Sequence, residues 1–398
     1  MGNTAVVVGG GIGGLAAAIG LRRVGWEVTV VERAPVLDDA GAGISLAANG
    51  LRALDALGVG TAIREASRGQ YSGGTRTPSG RWLTHMDGAA LERAVGTPIM
   101  GIPRSTLHRL LRDALPADAL LIGAEVESVT GWEEPGPDTR NPTTAPGPLR
   151  VRCAGGRVLD ADLVVAADGI GSALRRLLFP AHPGPVYSGS TVLRALTEKP
   201  VDPRTDFELT WGRGAEFGHI AFTDGRAEWH AVLNLPAGVR FPDPLAELRR
   251  RFHGWHDPIP ALLDATRPEA VLHHDVNELR TPLPSYAVGR VALLGDAAHA
   301  MTPHLGQGAC QALEDAVALA AALAAAPTVE SALARYDAER RPRSQAVARA
   351  ARQAGRMGQQ LAHPVAVALR NTAMRLTPSR TATRMILRHH TWVPPRLA

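Results

Sequence analysis

A chain of 398 residues, 45% hydrophobic and 20% charged, is long enough for a large core and has the composition of a globular protein of one large or two intermingled domains. No uninterrupted apolar run reaches the length of a spanning helix, and the N-terminus lacks the basic segment of a signal peptide. Cys153 and Cys310 lie too far apart for a disulfide framework or a zinc spacing, so no metal site and a cytoplasmic location are expected. The net charge of +5 is unevenly placed: the segment from Arg340 onward holds twelve arginines and no acid, leaving the remainder net negative. Such a tail attracts nucleic acid, anionic lipid or a phosphorylated ligand, or is simply a solvated helical surface. The solvated helical surface is the expectation, with no nucleic-acid partner and no integral membrane association.

The chain opens with a short β-branched run over residues 4–8, which predicts a buried parallel strand. Residues 12–24 place Ile12, Leu15, Ala16, Ile19 and Val24 at helical spacing, and residues 27–31 read as a second strand ending at Glu32. Between them lies "GGGIGG". Gly9, Gly11 and Gly14 satisfy G-x-G-x-x-G, with Gly13 beside them. The first glycine permits a tight turn, the second lets a pyrophosphate approach the backbone, and the third lets helix and strand pack closely. Glu32 then falls where an acid reaches ribose hydroxyls. The motif predicts a dinucleotide without separating NAD from FAD.

Helices are expected over 47–57 and 104–115, the latter capped by Ser105 or a neighbour. The Pro- and Gly-rich stretch 134–148 reads as an exposed loop between strands. "DLVVAADGIGSALR" gives another strand and helix, with Asp168, Gly169, Ser172 and Arg175 at the turn. From about 186 to 235 the pattern alternates as in an antiparallel sheet, and a helix near 244–253 follows. A buried strand over 290–296 leads into "GDAAHAMTPHLGQGACQALEDA" and a helix from about 306 to 325. The remainder reads as helical, interrupted at Pro327, Pro364 and Pro378.

With "PRSTLHRLL" carrying Arg104, these motifs occur in an order that resembles the single-component FAD-dependent aromatic hydroxylases of the para-hydroxybenzoate hydroxylase type, over roughly residues 4–350. The resemblance implies an α/β fold with an α+β insert: a Rossmann-like FAD-binding domain (1–70, 98–182 and 280–350), an antiparallel-sheet substrate domain (71–97 and 183–279) and a helical C-terminal region (351–398). It implies that Gly9, Gly11, Gly13 and Gly14 hold the FAD pyrophosphate, Glu32 and Arg33 the adenosine end, and Arg104 the pyrophosphate or ribityl region. Asp296, beside Gly295, would bond the ribityl hydroxyls, and Asp168 would support FAD and the nicotinamide. The segment Pro303, Gly306, Gln307 and Gly308 would face the flavin, where amides at a helix start favour negative charge.

The implied reaction uses NADPH or NADH as reductant and dioxygen as co-substrate, and passes oxygen from a flavin C4a-hydroperoxide to a small aromatic or heteroaromatic ring in catabolism or secondary metabolism. Candidate catalytic residues are His219, His304 and Arg194, with Trp211, His230 and Met301 lining the substrate pocket. In "RAEWHAVLNL", Trp229 and His230 must face opposite sides of the sheet. His299 reads as a packing residue. Alternatives are epoxidation or Baeyer–Villiger oxidation by the same chemistry, or a non-enzymatic FAD-binding interaction protein. A flavin halogenase is disfavoured by the lack of W-x-W-x-I-P, and a polyprenyl reductase by the lack of a long apolar insert. A monomer or a homodimer is expected.

Overall fold

The structure is a computed structural model, and it describes residues 3–37, 42–132 and 147–397. The expected loop over 134–148 falls almost wholly outside them.

The valine-rich strand Thr4–Val8 lies inside a six-stranded sheet, between Glu27–Glu32 on one side and Leu163–Ala166 on the other. Both pairings are parallel, as is that of Leu163–Ala166 with Val291–Leu293. Near-continuous apolar strands suit this position because both faces of the sheet are covered. The helix Ile12–Arg23 covers one face and packs along Gly308–Ala325. That second helix is long and apolar enough to span a membrane by length and composition, but 78% of it is buried inside the protein. It is the central core helix.

The parallel order has a functional consequence. The three turn motifs follow three adjacent strands, so Gly9, Asp168 and Gly295 all emerge at the carboxyl ends of the sheet, where open α/β sheets bind ligands.

A seven-stranded sheet forms the second layer, and includes Val186–Leu196, Phe207–Trp211, Ala215–Ala221, Ala227–Asn234 and Leu272–Glu278. It differs from the expected all-antiparallel block in one pairing: Phe207–Trp211 runs parallel to Gly73–Arg76. One face carries Leu193, Phe217, Trp229, Ala231 and Leu233 into a separate core with Leu245, Leu248, Phe252 and Leu262. The opposite face is turned towards the six-stranded sheet's motifs.

The helix Arg104–Asp113 begins without a side-chain cap, so Ser105 does not serve as one. The tail contains a 29-residue helix, Val329–Met357, that tolerates Pro342 in its interior. Pro364 opens the next helix and Pro378 precedes the last, Ser379–Leu387. Proline favours these entry positions because its missing N–H would be unpaired there anyway.

Candidate active site

A cavity of about 590 Å³ lies between the two layers. Its cofactor-facing wall includes Gly11, Gly13, Gly169, Gly295 and Asp296 from the three turn motifs, and Arg104 from the start of the helix Arg104–Asp113. Pro303, Gly306, Gln307 and Gly308 continue that wall.

The glycines divide by what surrounds them. A Cβ on Gly9, at φ +110°, would lie 2.3 Å from the Ala167 carbonyl oxygen, and one on Gly14 would nearly overlap the Gly9 carbonyl. These two positions serve close backbone packing. A Cβ on Gly11, Gly306 or Gly308 would meet nothing within 4 Å. The space beside them is the kind of cradle a pyrophosphate or a flavin edge needs.

Two helices aim their N-termini at this cavity without side-chain caps: Ile12–Arg23, entered through Gly11, and Gly308–Ala325, entered through Gln307. Uncapped amides at a positive helix end are ready to bond an anion. The buried Thr302 Oγ1 and Gln307 Nε2 lack hydrogen-bond partners among the described residues, and both residues line the cavity. Open glycines, free amides and unpartnered polar atoms together fit FAD.

Glu32 and Asp168 hold the turns that surround the cavity and are absent from its lining. Glu32 accepts hydrogen bonds from the Gly10 and Ala34 amides at 2.7 and 2.8 Å. Asp168 Oδ2 accepts from the amides of Ala173 and Leu174, while its Oδ1 is buried without a partner among the described residues. Arg33 is exposed. Arg175 is buried and spans from Ile170 to Ala297 by donating to both carbonyls, which ties two motif loops together.

The substrate-facing wall is the open face of the seven-stranded sheet. Register places Arg194 opposite His230, and His230 opposite Gly218. Glu216, Glu228 and Val232 share that face, as do Leu209 and Phe207. His230 Nδ1 lies 3.2 Å from Glu228 Oε2, and its Nε2 lies 3.7 Å from Glu216 Oε1. Gly218 leaves room for the imidazole, since a Cβ there would sit 2.3 Å from Nε2. Burial disfavours the His230 imidazolium, but the charges of Glu228 and Glu216 and the Glu228 hydrogen bond outweigh it, and the pKa rises above its ordinary value. Trp211 donates to Glu216 Oε2 at 2.5 Å and buttresses the cluster from outside the cavity lining.

His219 is a correction. It is buried on the other face, beside Phe217, with its Nε2 3.0 Å from Thr205 Oγ1. Burial pushes its pKa down to about 4. It does not line the cavity, so it cannot act on a substrate there. His304 and Met301 do line the cavity, and His304 Nε2 lies 3.2 Å from Gln359 Oε1.

Sequence reasoning missed Glu216 and Glu228, although strand alternation puts Glu228 on the side of His230. It also missed Gln70 and a wall formed by Met385, Ile386, His389 and His390. No local signal marks that wall. The tail returns because Arg52 donates to the carbonyls of His390 and Trp392, and Arg343 to that of His389.

The FAD binding domain family matches residues 3–351. Aurachin C monooxygenase/isomerase from Stigmatella aurantiaca is 39% identical over 90% of this chain and 90% of its own length. FAD-dependent urate hydroxylase from Klebsiella oxytoca is 32% identical over 84% of this chain and 85% of its own. The structure of Klebsiella pneumoniae HpxO complexed with FAD and uric acid superposes with a TM-score of 0.88 at 27% identity, covering 97% of this chain and 96% of that one.

The chain belongs to the FAD-dependent aromatic hydroxylases. As a member it is a flavoprotein monooxygenase that uses FAD and a reduced nicotinamide to hydroxylate an aromatic or heteroaromatic ring. In a hydroxylase of this kind the cavity must hold two partners at once, and its two chemically distinct walls match that demand.

Proposed function

We propose that the substrate is a planar aromatic or heteroaromatic compound bearing an ionisable hydroxyl, held against the sheet by Arg194 and deprotonated by His230. The observation that carries this reading is the Arg194–His230–Glu228–Glu216 constellation on the cavity face. With Nδ1 turned to Glu228, His230 Nε2 is the atom that accepts the substrate proton. Glu228 and Glu216 stabilise the resulting imidazolium, and the Arg194 guanidinium offsets the negative charge on the substrate oxygen. A ring carrying O⁻ is a better nucleophile than one carrying OH.

Gly11, Arg104, Asp296 and the Gly306–Gly308 turn would hold the FAD. Bound FAD would relay the electrons of the reduced nicotinamide to dioxygen, one atom of which passes to the ring while the other leaves as water. Asp296, exposed to the cavity, suits hydroxyl donors because an ionised carboxylate only accepts. The apolar part of the sheet, Leu209, Val232 and Ile220, excludes water around the ring. His304 would orient the substrate from the flavin side. Two free, buried cysteines are in keeping with a cytoplasmic site, where NADPH and NADH are available.

The test is nicotinamide oxidation by the purified flavoprotein across a panel of phenols, hydroxylated N-heteroaromatics and their O-methyl ethers, with products weighed. Stimulated oxidation and gain of one oxygen with the free hydroxyl compounds, but not the ethers, is expected. Equal turnover of both series would overturn the deprotonation role.

A further inference from the structure

Six of the twelve arginines beyond Glu339 lie past Met357, on a stretch with no acidic residue. There the chain forms the helices Pro364–Leu376 and Ser379–Leu387. The first packs beside the edge strand Trp82–His85, yet none of its residues is fully buried. Its half-buried side carries Ala366, Val367, Arg370 and Met374. Its outer side carries Val365, Leu369 and Leu376, which are 61%, 67% and 76% exposed. At helical spacing these three fall within about 40° of one another. A helix on a globular surface normally turns its apolar stripe inward; this one turns it to solvent. Met357, Met385 and Val393 nearby are also largely exposed. Arg356, Arg375, Arg384 and Arg388 are exposed and form no ion pair among the described residues.

We propose that this C-terminal helical pair docks the protein on an anionic lipid surface. The apolar stripe enters the boundary between headgroups and acyl chains, and the unpaired arginines meet lipid phosphates. The combination selects this occupant. A second copy of the chain, packed face to face, would bring arginine against arginine. A nucleic acid would engage the arginines and leave the stripe in water. The docking surface also adjoins the cavity: Met385 is exposed and lines it, and Ile386, His389 and His390 of the same segment line it as well. A lipophilic ring dissolved in the bilayer would thus meet the cavity wall directly. The docking itself does not depend on the substrate assignment above.

The FAD-loaded protein should be floated on a density gradient with vesicles of phosphatidylcholine alone and of phosphatidylcholine mixed with phosphatidylglycerol. It is expected to float with the mixed vesicles at low salt and about tenfold less with the neutral ones, with binding weakening as salt rises. The double variant Leu369→Glu, Leu376→Glu should lose about tenfold in flotation while keeping its flavin absorbance, its melting temperature and its activity on a water-soluble substrate. Arg375→Gln with Arg384→Gln should lose the anionic preference. Absence of flotation at low salt overturns the proposal, as does flotation indifferent to the glutamates. A dimer in sedimentation that the glutamates dissolve, without flotation, would assign the face to a second copy. A DNA mobility shift insensitive to the glutamates, again without flotation, would assign it to nucleic acid.

Discussion

Arg340 donates through Nε to a carboxylate oxygen of Asp315 at 2.7 Å, and neither side chain has any exposed surface. The other Asp315 oxygen accepts from the Gly295 amide at 3.0 Å and lies 2.6 Å from His299 Nε2. Burial opposes the Asp315 charge, but His299 and Arg340 outweigh it and hold the pKa at about 2. Arg340 also binds Glu314, which Arg343, Asn49 and Gln311 bond in turn. Asn49 further donates to Gln307. The core helix thereby fixes both Gly295 and Gln307, two residues of the cofactor-facing wall. The expectation that His299 packs structurally agrees with this placement, since its partner is a buried carboxylate.

Removing Arg340 takes a shared cation from two buried carboxylates, leaving Glu314 to Arg343 and Asp315 to His299. Arg340→Met should cost about 3–5 kcal/mol of stability by denaturant unfolding. Arg340→Lys should recover only part, because an ammonium cannot span Asp315 and Glu314 with a planar fork. A loss below about 1 kcal/mol for the methionine variant would contradict the picture.

Gly11 and Gly14 should respond differently to one methyl group. Gly14→Ala meets the Gly9 carbonyl at 1.9 Å and should lower the melting temperature sharply. Gly11→Ala meets no protein atom and should fold with near-normal stability as apoprotein. Its FAD affinity should fall about tenfold or more, as the methyl occupies ligand space. Flavin fluorescence titration of the two variants separates the effects.

His230 sets a pH limb. Its raised pKa means that the neutral, proton-accepting form is reached only above the ordinary value of 6.5. In wild type, kcat/KM should climb with pH through that raised value. His230→Gln should flatten the limb and lower kcat by about 100-fold at its plateau. Glu228→Gln should shift the limb to lower pH, since it removes the negative charge that favours the imidazolium.

Stability should begin to fall as pH drops below about 6.5, the ordinary histidine value. His219 and His390 have folded-state pKa values lowered to about 4, with burial as the largest cause in both. Each binds a proton more readily when unfolded, so its contribution is present above about 6.5 and is lost as pH falls towards 4. The loss is on the order of 3 kcal/mol for each. His230 acts oppositely: its contribution is present below 6.5 and is lost as pH rises through its raised value. His219→Phe should flatten the acid side of a melting-temperature profile. His390→Gln gives an independent check.

The thiols should be silent. Burial raises the Cys310 pKa to about 12 and also raises that of Cys153. Native protein should show no rapid reaction with a disulfide reagent at pH 8, and two reactive thiols after unfolding. Rapid native labelling of either residue would contradict the burial.

Much of the cofactor wall was legible because its motifs are local. A strand, a glycine turn and a helix follow one another within twenty residues, and parallel pairing brings the turns together. The substrate wall was only half legible. Period-two alternation tells which residues share a face, but not which face is the cavity. His219 was misplaced for that reason, although its neighbour Phe217 on the same side has the apolar character of a core position. The C-terminal wall was not legible at all. Its return depends on Arg52 and Arg343 bonding distant backbone carbonyls, and such contacts leave no trace in spacing or periodicity.

The two uncapped helix starts that face the cofactor space, at Gly11 and at Gln307, come from opposite ends of the fold's central sequence. During synthesis the first is made early and the second late. A nascent chain therefore has half of a flavin site for most of its elongation, and gains the other half only when the core helix docks against the first one. Prosthetic-group capture then reports on completion of the long-range core. Any truncation ahead of Gly308 should yield a chain that cannot retain FAD, however well its opening strand–turn–helix is formed, and flavin supply should shift the yield of mature protein by mass action.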